Sequence, residues 1–355
     1  MRAWENNIRR VTPYIPGEQP KHPVIKLNTN ECPYPPSPAV KRVLKELDWE
    51  RFRLYPDTEA NPLAKALSIT YGVEKEQIFV GVGSDDVLAM AFMTFFQGKK
   101  PIVFPDITYS FYDVWAELFR IPYKKIPLDQ NFRMVREEYY GENGGIIFPN
   151  PNAPTGIAED LEFIRDILTH NQDVIVIVDE AYIDFSEKPS AMELLKEFEN
   201  LLVVQTFSKS RAMAGMRIGY AMGSKVLIQA MKDVKYSFNS YTMNVPAQEA
   251  GRASVLDRDY FESTVQKVKE TRKRTADRLK KLGFVFPESE ANFIFASHEA
   301  VPAKKIYEKL KERDIYVRYF NKPRIDNYLR ITIGTDEQME QLFVVLEEII
   351  NGEQR

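Results

Sequence analysis

Apolar residues in this chain fall into short continuous runs, separated by longer stretches with a helical repeat. The runs cover residues 78–80, 101–104, 146–148, 174–178, 201–205 and 218–222. Continuous β-branched runs such as VIVIV suit strands buried on both faces of a mostly parallel sheet. Helical stretches between them predict an α/β, doubly wound architecture from about residue 60 to 240. The longest apolar block, 89–96, is broken by Thr94 and reads as a buried helix. Upstream, Ser37 followed by Pro38 is a helix start, with Val40, Leu44 and Leu47 as its apolar stripe.

Beyond about residue 250 the pattern changes. A long charged helix at 265–282 leads to ANFIFAS, a further helix, IYVRYF and YLRITIG, then a last helix opened by a Thr335–Gln338 capping box. These elements predict a smaller α+β domain. The expected organisation is an N-terminal arm (1–40) joining the small domain, a large domain (41–250) and a small C-terminal domain (251–355).

Composition narrows the function classes. At 355 residues, with 44% hydrophobic and 28% charged, the chain has an ordinary globular composition and room for about two domains. A net charge of −3 gives no reason to propose a nucleic-acid partner. The stretch KVKETRKRTADRLKK mixes both signs and has Val265, Val268, Leu279 and Leu282 on an apolar side, so it reads as a solvated helix face. Cys32 is the only cysteine, which excludes an intramolecular disulfide and a cysteine-based zinc cluster. The start MRAWENNIRR lacks the apolar stretch of a secretory signal, and nowhere do 18 apolar residues run together. A soluble, cytoplasmic protein with no membrane span is expected.

Ligands of doubly wound sheets bind beyond the carboxyl ends of the strands, so the polar residues just past each run are the candidates. After 78–80 comes GVGSDDVL, where Ser84 and Asp85 open a helix whose free N–H groups suit a phosphate. It is neither a complete Rossmann fingerprint nor a Walker loop. After 146–148 comes PNPNAPTG, a proline-fixed turn that either simply reverses the chain or presents Asn152. After 174–178 comes DEAY, in which Asp179 ends a buried strand and needs a cationic or hydrogen-bonding partner. After 201–205 comes TFSKSRAMAGMRIGY, with hydroxyls at Thr206 and Ser208, the amine of Lys209 and the guanidinium of Arg217. His22, His170 and His298 lie outside these clusters, which argues against a Ser-His-Asp triad or a histidine metal site, and no metal is expected. A lysine nucleophile, a buried aspartate and a phosphate cradle together suit pyridoxal 5'-phosphate (PLP). Its aldehyde takes a lysine and its ring nitrogen takes an acid. A plain nucleotide-binding module would leave Lys209 and Asp179 without a role.

With those motifs in order, the sequence resembles the fold-type I PLP enzymes and, within them, the histidinol-phosphate aminotransferases. The resemblance spans nearly the whole chain through PYIPG, LNTNECPYPPSP, RLYPD, GVGSDD, PNPNAPTG, VIVDEAYIDF, TFSKSRAMAGMRIGY and YLRITIGT. It implies that Lys209 holds PLP as a Schiff base and shuttles the proton, and that Asp179 pairs with the ring nitrogen. It also implies that Asn152 and Tyr182 bond the ring oxygen, and that Tyr109 stacks on the ring. Ser84, Asp85 (through its backbone N–H), Thr206, Ser208 and Arg217 would form the phosphate cup. Tyr55 would reach the cofactor phosphate of a neighbouring subunit, which implies a homodimer with shared sites. Arg330, with Arg318, Tyr14 and Asn239, would bind substrate. The reaction implied exchanges the amine of L-histidinol phosphate with 2-oxoglutarate in histidine biosynthesis. An aromatic-amino-acid aminotransferase and a phosphothreonine decarboxylase of the same fold remain as alternatives. Cys32 and Pro35 depart from the family's usual arm motif, which carries Asn and Gly there.

Overall fold

A computed structural model describes residues 2–353. The strands in chain order are β1 (Ile25–Leu27), β2 (Ile78–Gly81), β3 (Ile102–Pro105), β4 (Tyr123–Ile126), β5 (Ile146–Pro149), β6 (Val176–Asp179), β7 (Leu201–Thr206), β8 (Gly219–Gly223), β9 (Phe284–Val285), β10 (Phe293–His298), β11 (Ile315–Tyr319) and β12 (Leu329–Thr332). Strands β2 to β8 form one seven-stranded sheet in the order β2-β8-β7-β6-β5-β3-β4. Only β8 runs against its neighbours, β2 and β7. The sheet is therefore mostly parallel, as the unbroken apolar runs require.

Its strands are buried on both faces. Phe148, Val178 and Val203 face one apolar cluster, which also contains Leu63, Leu67 and Tyr220. Their neighbours Ile147, Ile177, Leu202 and Val204 face another, built on Leu88, Phe92, Tyr112 and Trp115. The helix Ser84–Phe95 buries Leu88, Met90, Ala91 and Phe92, as expected of the block around Thr94. β4 is absent from the apolar runs because it is an edge strand whose Lys124 and Lys125 are exposed. Several boundaries shift by one or two residues where a run continues into the preceding turn.

The second sheet has the order β1-β11-β12-β10-β9, with β1 parallel to β11 and the other pairs antiparallel. The charged helix is longer than the pattern showed, Arg258–Lys281, because its first turns carry few apolar residues. Ser37 caps the helix Pro38–Lys45 by accepting from the Ala39 N–H. The Thr335 capping box is present, with Thr335 N donating to Gln338 Oε1 at 2.9 Å and Gln338 N to Thr335 Oγ1 at 3.3 Å. Among the described residues no helix is long and apolar enough to cross a membrane.

Candidate active site

The ends of β5, β6 and β7 and the start of the helix Ser84–Phe95 converge on a cleft of about 740 Å³. Its lining includes Ser84, Asp85, Tyr109, Asp179, Tyr182, Thr206, Ser208, Lys209 and Arg217. One end is a cradle of donors. Arg217 Nη1 donates to Ser208 Oγ at 3.4 Å, and Thr206 Oγ1 to Ser208 Oγ at 3.0 Å. Glycines make the cradle possible. A Cβ on Gly83, whose φ is +91°, would stand 2.4 Å from Arg217 Nη2, and one on Gly219 would stand 2.3 Å from Ser84 N. Arg217 itself is held at a φ of 54°, a strained setting for a long side chain. The Asp85 carboxylate also lies in this end, accepting from Tyr109 OH at 2.8 Å and sitting 3.5 Å from Arg217 Nη2.

Asp179 forms the floor and is 4% exposed. Tyr112 OH donates to its Oδ2 at 2.9 Å, and the Ala181 N–H to its Oδ1 at 3.3 Å. Burial nonetheless pushes its carboxyl up to about 6, with these two hydrogen bonds opposing the rise. Lys209 Nζ lies 5.6 Å from the centre of the Tyr182 ring and donates to the Thr29 carbonyl at 3.1 Å. Tyr182 OH in turn accepts from Asn30 Nδ2 at 3.0 Å.

A second cleft of about 710 Å³ shares Thr29, Tyr109, Ala153, Tyr182 and Lys209 with the first. Its far side is made by Arg318 and Arg330, which face each other across the β11–β12 ladder. Like charges directly opposite on a ladder repel. Arg330 Nη2 donates to the Asn28 carbonyl at 2.9 Å, while its buried Nε has no partner. Phe293 and Phe320 flank its guanidinium at 5.4 and 5.8 Å. Tyr14 joins this cleft from the arm, stacked on Phe111 at 4.2 Å.

Of the residues singled out in the sequence, Ser84, Asp85, Tyr109, Asp179, Tyr182, Thr206, Ser208, Lys209, Arg217, Tyr14, Arg318 and Arg330 line the two clefts. Asn152 sits just behind them with both amide donors engaged, to the Ile107 carbonyl at 3.0 Å and Thr155 Oγ1 at 3.1 Å. Tyr55 and Asn239 are not brought there. Tyr55 is 81% exposed and stacks on Tyr241, and Asn239 is an exposed residue ending the helix Lys225–Phe238. Thr29, Glu31 and Tyr112 were missed. The first two lie in the quoted segment LNTNECPYPPSP, and Tyr112 follows Tyr109 by three residues at the start of a helix.

The donor set fits a phosphate-bearing cofactor with an aromatic ring. The glycine-shaped cradle presents hydroxyls, a guanidinium and a helix start, and the floor presents one carboxyl. Among the described residues, no group of three or more His, Cys, Asp or Glu could hold a metal.

Comparison with known proteins identifies the family. The sequence model of the family "Aminotransferase class I and II" matches residues 22–346. The histidinol-phosphate aminotransferase of Lactococcus lactis subsp. cremoris (strain SK11) is 48% identical over 354 residues, covering 99% of each chain. Histidinol-phosphate aminotransferase 1 of Hydrogenovibrio crunogenus is 50% identical over 348 residues, covering 98% of each. The crystal structure of a putative histidinol-phosphate aminotransferase from Erwinia carotovora atroseptica superimposes with a TM-score of 0.85 at 25% identity, covering 94% of this chain and 97% of that one. A family match across most of the chain and relatives near half identity over its whole length have one reading: this chain belongs to the class I and II aminotransferases.

Proposed function

We propose that this enzyme uses PLP to exchange the amino group of L-histidinol phosphate with 2-oxoglutarate, giving imidazole acetol phosphate and L-glutamate, in L-histidine biosynthesis. The single observation that carries the substrate assignment is the Arg318–Arg330 pair. Two facing guanidiniums, one with an unpaired buried Nε, make a site that an anion completes, in a cleft shared with Lys209. A phosphate ester meets that need in one half-reaction and a carboxylate of glutamate in the other.

When bound, PLP supplies an aldehyde that takes amines covalently and a ring that accepts the electron pair released at the substrate carbon. The chain's residues do the rest. Lys209 Nζ would anchor the cofactor and, as the amine of the site, would move the proton to and from the carbon that carries the substrate amine. Asp179 would hold the ring nitrogen in its protonated form by its negative charge. Ser84, Thr206, Ser208, Arg217 and the Asp85 N–H would hold the phosphate, with Tyr109 beside the ring and Asn152 and Tyr182 toward its oxygen. Asn30 holds the Tyr182 hydroxyl by donating to it, whereas Asn152 would have to exchange one of its present acceptors. Tyr14 and Arg318 would close the substrate end, and Asn239 stands outside both clefts in a single chain.

We further propose a homodimer. Trp49, Leu54, Tyr55, Phe238 and Tyr241 are exposed large apolar side chains, and Tyr55 stacks on Tyr241 at 4.4 Å; exposed apolar surface of this kind suits an interface. A second copy packed there would carry Tyr55 toward the partner subunit's cofactor phosphate. An amino-acid biosynthetic role places the enzyme in the cytoplasm.

The deciding experiment mixes PLP-loaded protein with histidinol phosphate and follows the visible absorbance of the lysine-linked cofactor. Loss of that band in a single turnover is expected, and 2-oxoglutarate should restore it. Loss with aromatic amino acids alone, or release of CO₂ from phosphothreonine, would overturn the substrate assignment.

A further inference from the structure

Glu180 follows Asp179 in the sequence but lies on the opposite face of the sheet. It is 1% exposed and has no role in the chemistry above. Its Oε2 accepts from Ser190 Oγ at 2.6 Å and from Gln205 Nε2 at 2.8 Å, and its Oε1 accepts from the Ala191 N–H at 2.6 Å. Gln205 passes the network on, its Oε1 accepting from Tyr220 OH at 2.5 Å and Tyr71 OH at 3.2 Å. The two tyrosine hydroxyls are 2.5 Å apart. Burial raises the Glu180 carboxyl to about 7, the three donors and the nearby Asp184 acting in opposite directions.

The alternation of side chains along a strand gives this arrangement its meaning. Val178 and Val203 share one apolar cluster, and Ile177 and Val204 the other. Continuing each strand, Asp179 and Thr206 fall on the Val204 face, which opens into the cleft. Glu180 and Gln205 fall on the other face, toward Tyr220. The backbone continues the pairing, Glu180 N donating to the Val204 carbonyl at 2.7 Å. Each strand end therefore carries one residue facing the cofactor cleft and one facing its neighbour beneath. A buried carboxylate is an expensive tie, since replacing such a network with apolar side chains is often neutral or stabilising. A tie that only held the fold could have been apolar.

We infer that Glu180 is a positioning residue, which fastens the end of β6 to the end of β7 from behind the sheet and so fixes Asp179 relative to the phosphate cradle. The inference rests on the PLP reading. It concerns how tightly the cofactor is held, and Glu180 itself touches neither cofactor nor substrate.

Exchange of the two side chains isolates the tie from its surroundings. In Gln205→Glu two carboxylates face each other. In Gln205→Glu combined with Glu180→Gln the new amide donates to the new carboxylate, which accepts from both tyrosines, and the amide oxygen still accepts from the Ala191 N–H. The link between the two strand ends is thus restored, and only the Ser190 hydroxyl proton has to turn to another acceptor. The measurement is the dissociation constant of PLP from the cofactor-free protein at pH 8, by absorbance titration well below the melting temperature of each variant. The single variant is expected to hold PLP at least about tenfold more weakly, and the double variant to return to within about threefold of wild type. Wild-type affinity in the folded single variant would overturn the inference. So would a folded double variant that stays as weak as the single one. If the single variant does not fold, Ser190→Ala serves in its place: affinity loss of about threefold or more in folded protein supports the tie, and unchanged affinity overturns it. Failure of wild-type protein to bind PLP would instead remove the cofactor reading itself.

Discussion

The two clefts share a wall but are built on opposite electrostatic terms. The first, proposed for the cofactor, mixes signs: Glu31, Asp85 and Asp179 with Lys209 and Arg217. Its polar groups have partners within the chain, Asp179 from Tyr112 and Ala181, Asp85 from Tyr109 and Arg217. The second, proposed for the substrate, is lined by Lys209, Arg318 and Arg330 and, among the described residues, by no carboxylate. One region is assembled before its ligand arrives, and the other carries a repulsion that only an anion relieves. On the proposed function, the first would hold a resident cofactor and the second a substrate that must leave.

The largest effect should come from the lysine common to both clefts. Lys209→Ala is expected to lower turnover by about 10⁴-fold or more, while PLP is still retained without the visible band of the lysine-linked form. Steady-state rates and absorbance spectra check both, and near-normal turnover would refute the role of Lys209.

Next comes the charge-pair side of the contrast. Arg330→Met should cut kcat/KM for histidinol phosphate by about 10- to 150-fold, the range for a charged hydrogen bond, with PLP affinity little changed. Arg318→Met should give a smaller loss, and the melting temperature of the unliganded protein should hold or rise because repulsion is relieved. A fall of several degrees would show that the pair is not frustrated. In wild-type protein, inorganic phosphate should raise the melting temperature, by about 2.7 kcal/mol of stabilisation at 100 times its dissociation constant, and Arg318→Met should weaken this response.

The smallest effect concerns the assembled region. Asp179 has a folded-state value raised to about 6 from 3.8, so the folded chain binds more protons than the unfolded one between those values. This group's contribution to stability therefore falls as pH rises from about 4 to 6. PLP binding runs the other way, because the ring nitrogen needs the anion. Affinity should rise with pH to a plateau above about 6. Removing the Tyr112 hydrogen bond, which lowers the Asp179 value, should move that midpoint up by as much as about one unit. Tyr112→Phe would then bind PLP more weakly near pH 6 and like wild type at pH 8, which titrations at the two pH values would check.

The apolar runs exposed six strands of the large sheet because those strands are covered on both faces. The edge strand β4 escaped because Lys124 and Lys125 face water and leave only Ile126 buried. Strand direction was not legible either. The β8 run has the same apolar character as β7, yet it is antiparallel to it. Residues at strand ends, such as Asp179, Thr206 and Lys209, stood out because a polar group directly after a buried run must be answered by something. Tyr112 did not, since its ring belongs to the apolar face of its helix and only its hydroxyl reaches Asp179.

By itself, then, the order of runs and motifs determined the class of sheet, the edge at which chemistry gathers and the lysine–aspartate–arginine set placed there. Periodicity and strand-end polarity are local properties, so a linear reading can carry them. The tertiary structure alone decided that Thr29 and Glu31 of the arm line the cleft, that Arg318 and Arg330 come face to face, and that Glu180 is hydrogen-bonded to Gln205 on the far side of the sheet. Each of these joins segments distant in the chain or places neighbours on opposite faces. Such contacts depend on strand register and packing, which no single segment encodes.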